Sequence, residues 1–201
     1  MDLTQLSLAL GASLAAGLNL YLTVLTLGLL QRFEVLSLPA DLQVLAHPGV
    51  LIAAGILVVV EFLADKVPYV DNLWDAVHTF IRVPAGALLA AGALADLPPE
   101  WLWIAALAGG FVSFSTHGAK SSLRLAVNSS PEPFSNVALS LLEDGISFGL
   151  LWLVTYYPYV ALGIGTVLLA ASLATLYLLF RFFRLVLRRL RRVVSPKPAT
   201  R

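Results

Sequence analysis

Long apolar runs dominate this chain and restrict what it can fold into. Six apolar segments can be drawn along the 201 residues: 3–30, 49–65, 83–97, 101–117, 136–156 and 158–180. A hydrocarbon core about 30 Å thick takes roughly 20 helical residues to cross. Only 12% of the residues are charged and 59% are hydrophobic, whereas soluble domains carry about 25% charged residues. We therefore predict an all-α polytopic membrane protein with about six transmembrane helices.

The second, third and fourth segments are short, which is typical of broken or re-entrant helices. Prolines punctuate these places and the start of the fifth segment: Pro68, Pro84, Pro131 and Pro133. The first segment lacks a basic region before it and is too long for a signal-peptide core, so we predict a retained membrane helix. The absence of cysteine excludes disulfides, thiolate metal sites and cysteine nucleophiles. We expect one transmembrane domain over residues 1–180, followed by a basic tail, 181–201.

The distribution of basic residues predicts the orientation in the membrane. The tail carries eight of the 13 Lys and Arg residues, which places it in the cytoplasm. Besides fixing the orientation, the tail could lie on the anionic inner leaflet of the membrane. An even number of spans then puts the N-terminus inside as well, in a multi-pass protein of the inner cell membrane. Under this count Lys66 and Arg82 fall in one cytoplasmic connection, and Lys120 and Arg124 fall in another.

Two polar islands interrupt the apolar pattern. The first polar island is 61–82, and the second is 113–136. In the first, Glu61 and Asp65 are four residues apart and share a helix face. A carboxylate inside a membrane costs several kcal/mol unless it is protonated, paired or hydrated. We expect Glu61 to face the bundle interior, where the pair either binds a cation or proton or locks two helices together.

Further candidates lie on other segments. Glu143 and Asp144 point about 100° apart on a helix, so one of them faces a given site. We expect Asp144 to do so and Glu143 to pair with Arg124 or Lys120. His117 is either a proton relay or a packing hydrogen bond. Asn19 lies mid-span and either lines the site or joins helices.

The basic residues allow an opposite interpretation. Lys120 and Arg124 share a helix face and could clamp a phosphate or carboxylate, with Lys66 and Arg82 on the same side of the membrane. The sequence Gly118-Ala-Lys120-Ser-Ser lacks the spacing of a phosphate-binding loop, which excludes nucleotide binding there. Asp75 and His78 offer too few ligands to predict a metal site. We predict no cofactor and no nucleic-acid partner.

A weak internal similarity divides the chain into halves 1–98 and 99–180. Phe62-Leu-Ala-Asp65-Lys66 corresponds to Leu141-Leu-Glu-Asp144-Gly145, and small-residue runs occur in the first and fourth segments. Three spans in each half make the halves inverted, a pattern of transporters that places the site between them. Asp144 is preferred over Glu143 because it occupies the repeat position of Asp65.

Three stretches carry a family resemblance: LNLYLT at 18–23, EFLADKVPYVDNLWDAVHTFIRVPAGALLA at 61–90, and THGAKSSLRLAVNSSPEPFSNVALSLLEDG at 116–145. Together they resemble the DUF4126 family of bacterial membrane proteins, which implies a small polytopic protein and no assigned activity. The sequence Glu61-Phe-Leu-Ala-Asp65-Lys66 is also distantly similar to the E-x-G-D-K motif of Gdt1-type cation exchangers. Its spacing is one residue longer, and Ala replaces Gly.

These observations favour a small transporter or channel for a cation or proton. The alternatives are a protein that binds or translocates an anionic lipid or phosphate headgroup, and a membrane assembly module without transport activity. The chain shows no Ser/His/Asp order or HExxH motif, so we expect no enzymatic activity. The expected partners are the bilayer, a small ion or anionic headgroup, and a second copy of the chain.

Overall fold

The secondary structure is helical throughout the part of the chain that is described. A computed structural model describes residues 2–67, 69–128 and 133–194. Pro68 and Pro131, and the tail beyond Val194, lie outside these ranges. Within them there are seven α-helices, one short 3-10 helix and no strand, which confirms the all-α prediction. The helices are α1 (Leu3–Leu18), α2 (Leu20–Arg32), the 3-10 helix (Ala40–Ala46), α3 (Pro48–Ala64), α4 (Val70–Ala93), α5 (Pro99–Asn128), α6 (Pro133–Tyr156) and α7 (Pro158–Val194).

Each of the six apolar segments is helical over most of its length, and within the described residues three helices are long and apolar enough to cross a membrane alone. These stretches are Val70–Ala93, Phe134–Tyr156 and Pro158–Arg188. The 3-10 helix and α3 meet at 65° and together form a fourth candidate, either as a broken span or as a re-entrant loop. The membrane-like helical character is therefore supported. Six spans and inverted halves stay predictions.

The first segment is not the single helix that we predicted. Asn19 adopts an extended conformation (φ −144°, ψ 99°), which ends α1 and begins α2. Its side-chain oxygen accepts a hydrogen bond from the backbone N–H of Leu22 at 2.9 Å. Asparagine is among the residues most favoured at the N-cap of a helix, because its side-chain oxygen accepts such a hydrogen bond. A polar residue inside an apolar run therefore marks a break in this chain.

The placement of basic residues in cytoplasmic connections is wrong for three of them. Arg82 lies in the middle of α4, and Lys120 and Arg124 lie in α5; all three are buried. Pro84 is also inside α4 rather than at its end. The two islands are polar because they carry buried charges that pair with one another. These three residues therefore no longer support the predicted orientation in the membrane.

Helix α1 lies at the centre of the bundle, in contact with α2 and with α4 to α7. Its small residues allow the close approach. A Cβ atom at Gly17 would lie 2.5 Å from the backbone carbonyl oxygen of Ser113 on α5. The hydroxyl of Ser13 donates to the carbonyl of Gly86 on α4 at 3.0 Å. This packing brings the C-terminal end of α1 against the polar faces of α4 and α5.

Candidate functional site

Eight ionisable side chains gather where α3, α4, α5 and α6 meet, and we call this group the charge cluster. None of the eight residues is more than 4% exposed. Full burial of so many charged groups is rare unless they are paired. The members are Glu61, Asp65, Asp71, Asp75, Arg82, Lys120, Arg124 and Glu143.

Helical spacing assembles the cluster. On α4, Asp71, Asp75 and Arg82 are separated by four and seven residues, so they project from one face. On α5, Lys120 and Arg124 are four residues apart and face α4. The largely apolar helix α3 contributes carboxylates only at its C-terminal end. Carboxylates at the end of α3 and on α4 and α6 therefore meet Lys120 and Arg124 of α5, whereas Arg82 lies on α4 itself.

Arg82 organises one end of the cluster. Its guanidinium pairs with Glu61 and lies 3.4 Å from Asp75. The same group donates to the carbonyl of Gly17 at 3.3 Å and to Nδ1 of His117 at 3.0 Å. A planar guanidinium can satisfy several directions at once, which a lysine ammonium cannot do with the same geometry.

Arg124 organises the other end. It pairs with Glu143 through two of its nitrogens and with Asp65 at 2.9 Å. It also lies 3.5 Å from Asp71, whose two carboxylate oxygens accept from the Asn128 amide at 2.9 and 3.0 Å. Glu143, expected to pair with Arg124 or Lys120, contacts both.

Lys120 lies between the two arginines and is shared by four carboxylates. Its ammonium also donates to the carbonyl of Leu18 at 2.8 Å. This carbonyl and that of Gly17 belong to the last turn of α1, where helix carbonyls lack intrahelical partners and carry partial negative charge. The break at Asn19 thus supplies acceptors to the cluster. The distances from Lys120 Nζ are 3.3 Å to Asp65, 3.4 Å to Glu143, 3.7 Å to Glu61 and 3.9 Å to Asp75.

The hydrogen bonds of His117 identify its protonation state. Arg82 can only donate, so Nδ1 of His117 must accept and carries no proton. Nε2 then carries the proton and faces the carbonyl of Asp75 at 3.0 Å and the hydroxyl of Thr79 at 2.8 Å. His117 is therefore neutral in this arrangement and contributes no positive charge to the cluster.

The charges within the cluster do not balance. Five carboxylates face three cations, so the fully ionised cluster carries two excess negative charges. Three buried oxygens accept no hydrogen bond from the described residues: Oε2 of Glu61, Oδ1 of Asp65 and Oδ1 of Asp75. A buried negative charge without compensation is costly. Protonation of a carboxylate would relieve this excess. Oδ1 of Asp75 already lies 3.4 Å from a nitrogen of Arg82 and 3.9 Å from Nζ of Lys120. In contrast, Oε2 of Glu61 and Oδ1 of Asp65 have no ion-pair partner among the described residues.

The two adjacent carboxylates of α6 have different partners, and the choice of Asp144 as the site residue stays a prediction. Glu143 enters the cluster, whereas Asp144 is partly exposed and accepts from the Asn19 amide at 2.9 Å. The reason is the buried face of α6, which repeats at helical spacing and includes Glu143. The polar residues of this face are Asn136, Ser140, Glu143 and Ser147. Asp144 and Asn19 are nevertheless bonded to each other.

Lys66 lies outside the cluster. Its ammonium donates to the carbonyl of Phe62 at 3.0 Å and lies over the ring of the same residue. Partial burial in the connection between α3 and α4 lowers the pKa of this ammonium from its ordinary value. Lys66 therefore does not belong with Arg82, Lys120 and Arg124.

Sequence reasoning left Asp71 and Asp75 out of the candidate site, although they are cluster members. Their spacing on α4 continues to His78 and Arg82, and that extended series was the available signal. His78 bonds instead to the carbonyl of Trp74 at 2.7 Å and to the hydroxyl of Tyr21 at 2.8 Å. Within the described ranges, no group of three His, Asp or Glu side chains is arranged to hold a metal ion.

The family to which the chain belongs can be determined from its sequence. The family model described as Domain of unknown function (DUF4126) matches residues 6–178, a range that includes the whole charge cluster. The chain belongs to this family. No curated protein and no solved structure is detectably similar to this DUF4126 chain. The family carries no assigned activity, and these comparisons lend no support to the distant resemblance to Gdt1-type exchangers.

Proposed function

We propose that this DUF4126 protein is a small membrane transporter or channel for protons or small cations, with the charge cluster as its site. The observation that supports this function is the excess of two carboxylates, together with the three oxygens that accept no hydrogen bond. Intramembrane ionisable groups commonly mark ion pathways. Glu61 and Asp65 bind the ion, and neutral His117 relays protons beside Arg82.

The cluster also lies between the two proposed halves of the chain. Glu61, Asp65, Asp71 and Asp75 come from residues 1–98, whereas Lys120, Arg124 and Glu143 come from residues 99–180. Relative motion of the halves would break and re-form these ion pairs. If the halves are inverted repeats, alternating access around this site follows. Asn19 and Asp144 form a further contact between the halves at the α1–α2 break.

The proposal includes a multi-pass arrangement in the cell membrane with both ends in the cytoplasm. Helix α7 has 37 residues, or about 55 Å at 1.5 Å per residue. It therefore extends beyond a hydrocarbon core of about 30 Å. Arg181, Arg184 and Arg188 are exposed in this extension, which supports a cytoplasmic C-terminus by the positive-inside rule.

The geometry favours a cation over an anionic headgroup. Arg82, Lys120 and Arg124 are already paired with carboxylates of their own chain. A phosphate would have to displace those carboxylates and would enter a region with excess negative charge. The assembly-module interpretation has more support than headgroup binding, because buried ion pairs also hold helices together. Flux measurements distinguish an assembly module from a transporter.

The test uses purified protein in liposomes, with dye-reported fluxes of protons, Na⁺ and K⁺. Glu61→Gln and Asp65→Asn each retain an oxygen for the existing hydrogen bonds and replace the oxygen that accepts none. We expect either change to abolish the wild-type flux while the protein still inserts and purifies as a single species. Glu100→Gln is the matched control, since Glu100 is exposed at the start of α5, and should conduct normally.

The variant Asp144→Asn tests whether the carboxylate bonded to Asn19 lies on the ion path. We expect this variant to reduce the flux as well. Normal flux in Glu61→Gln and Asp65→Asn would remove the cluster as the transport site. Absence of flux in the wild type for all three ions would leave the assembly function as the better explanation of the cluster.

A further inference from the structure

A cavity of about 300 Å³ adjoins the charge cluster on the side of α7. Its walls come from α1, α5, α6 and α7 and consist mainly of leucine and alanine side chains. Two members of the charge cluster, Lys120 and Glu143, also line it. The cavity is thus almost wholly apolar, and two charged residues of the cluster, both nearly buried, lie at one wall. A site for an amphipathic molecule has this form.

The cavity reaches the outer surface of the bundle between α5 and α6. Leu123 and Leu142 line it, and they are 47% and 60% exposed. In a membrane-spanning bundle, exposed leucines face lipid. A hydrated inorganic ion would have to shed its water to pass such a surface. An amphipathic molecule dissolved in the bilayer meets no such barrier.

Lys120 and Glu143 balance each other at the wall, so the net negative charge of the cluster behind the wall selects the headgroup. An anionic head would join a cluster in which five carboxylates already exceed three cations. A cationic head offsets part of that excess in a poorly solvated place, where Coulomb attraction is strong. The volume lies at the lower end of ligand pockets, roughly 300–1,000 Å³. It corresponds to about ten water-sized groups at roughly 30 Å³ each.

We propose that this cavity binds an amphipathic organic cation, an ammonium carried on a short alkyl chain, which arrives from the bilayer. The ammonium lies beside Lys120 and Glu143, and the chain lies among the leucines. Both oxygens of Glu143 already accept from Arg124, so the net negative charge of the cluster holds the ammonium rather than a free oxygen. The proposal names a substrate class for the transport site and rests on the proposed function, because the same negative excess attracts the ion.

The probe is octylammonium, whose nine non-hydrogen atoms suit the volume on the estimate of about ten water-sized groups. Octanol is its neutral isostere, and octanoate is the anionic comparison. Binding of each labelled compound to protein in nanodiscs is corrected for partition into empty nanodiscs. We expect octylammonium to bind at least about tenfold more tightly than octanol, and octanoate to bind weakest.

The location is tested by a matched pair of substitutions on α7. Ala171 lines the cavity, whereas Ala174, one turn further on, is absent from its lining; both are exposed. Ala171→Phe should fill the cavity and lower octylammonium affinity about tenfold or more, and Ala174→Phe should leave it unchanged. In a second variant, Asp65→Asn should weaken octylammonium binding and spare octanol binding.

Unchanged octylammonium affinity in Ala171→Phe would overturn the location. Equal affinity for octanol, or no loss in Asp65→Asn, would overturn the role of charge. The liposome assay distinguishes this proposal from the more general one. Proton or Na⁺ flux without octylammonium binding would leave transport standing and remove the cavity site. Saturable octylammonium binding without any ion flux would support the cavity site and refute the transport function.

Discussion

Replacing Lys120 with methionine removes the cation that four carboxylates share, and it raises the excess negative charge of the cluster from two to three. Replacing Asp65 with asparagine changes the balance in the opposite direction. The amide oxygen can keep the hydrogen bonds from Arg124 and Lys120, and the amide nitrogen takes the place of the oxygen that accepts none. The cluster therefore predicts opposite outcomes for two neutralising substitutions.

The magnitudes follow from the distances. Each of the four ion pairs of Lys120, at 3.3 to 3.9 Å, corresponds to about 4–5 kcal/mol at an effective dielectric constant near 20. Desolvation of the ammonium offsets much of this attraction. Removing one partner of a buried ion pair costs roughly 3–5 kcal/mol, and we expect Lys120→Met to fall in that range. Asp65→Asn should cost less than about 1 kcal/mol, or stabilise the protein.

The assay is reversible unfolding in mixed detergent micelles, followed by tryptophan fluorescence. The double variant Lys120→Met/Asp65→Asn should be more stable than the sum of the single effects predicts, by about 1–2 kcal/mol. Lys66→Met removes a lysine outside the cluster and should stay within about 0.5 kcal/mol of the wild type. If Asp65→Asn destabilises as much as Lys120→Met and the double variant shows no recovery, the negative excess is compensated within the protein and our reasoning is refuted.

Three further substitutions test the surroundings of the cluster in the same unfolding assay. Asn19→Ala removes the cap of α2 and a hydrogen bond to α6, and it should cost about 1–2 kcal/mol; an unchanged stability would mean that the break is held by other contacts. Gly86→Ala places a methyl group against Ser113 and should cost about 1–3 kcal/mol. Its control, Gly145→Ala, meets no atom within 4 Å and should stabilise α6 by about 0.5–1 kcal/mol; similar effects at both positions would contradict the close crossing. Arg82→Lys should cost about 2–3 kcal/mol, because an ammonium cannot reach all the partners of the guanidinium; full stability would show that charge alone matters.

The sequence was sufficient to predict the helical membrane character and part of the site. The fraction of charged residues and the apolar runs indicated an all-α membrane protein. The four-residue spacing of Glu61 and Asp65 correctly placed two carboxylates on one buried face. A cationic partner for Glu143, either Arg124 or Lys120, was also predictable because a buried carboxylate needs a cation and few were available; both contacts are present.

The boundaries of the helices were harder to predict, because a hydropathy scale gives a charged residue the same value whether it is buried in a helix or exposed in a loop. Arg82 and Lys120 lower the local hydropathy as a loop would, yet both are buried in helices. The partners that make this burial tolerable are distant in the sequence: Lys120 and Asp65 are 55 residues apart. No local window contains that information. For the same reason the orientation of α6 could not be chosen from two adjacent carboxylates.

The imbalance of charge is the feature that separates a functional interpretation from a structural one. A network that only fastens helices is most stable when each buried carboxylate has a cation, because any excess adds desolvation and repulsion without adding a contact. Here Glu61, Asp65 and Asp75 each leave one oxygen without a hydrogen bond, although serines and amides lie on the neighbouring faces. Protons or cations that come and go would relieve this excess in one state and restore it in another. Under the proposed function, this energetic cost would be part of the mechanism, because it would favour uptake of the next ion.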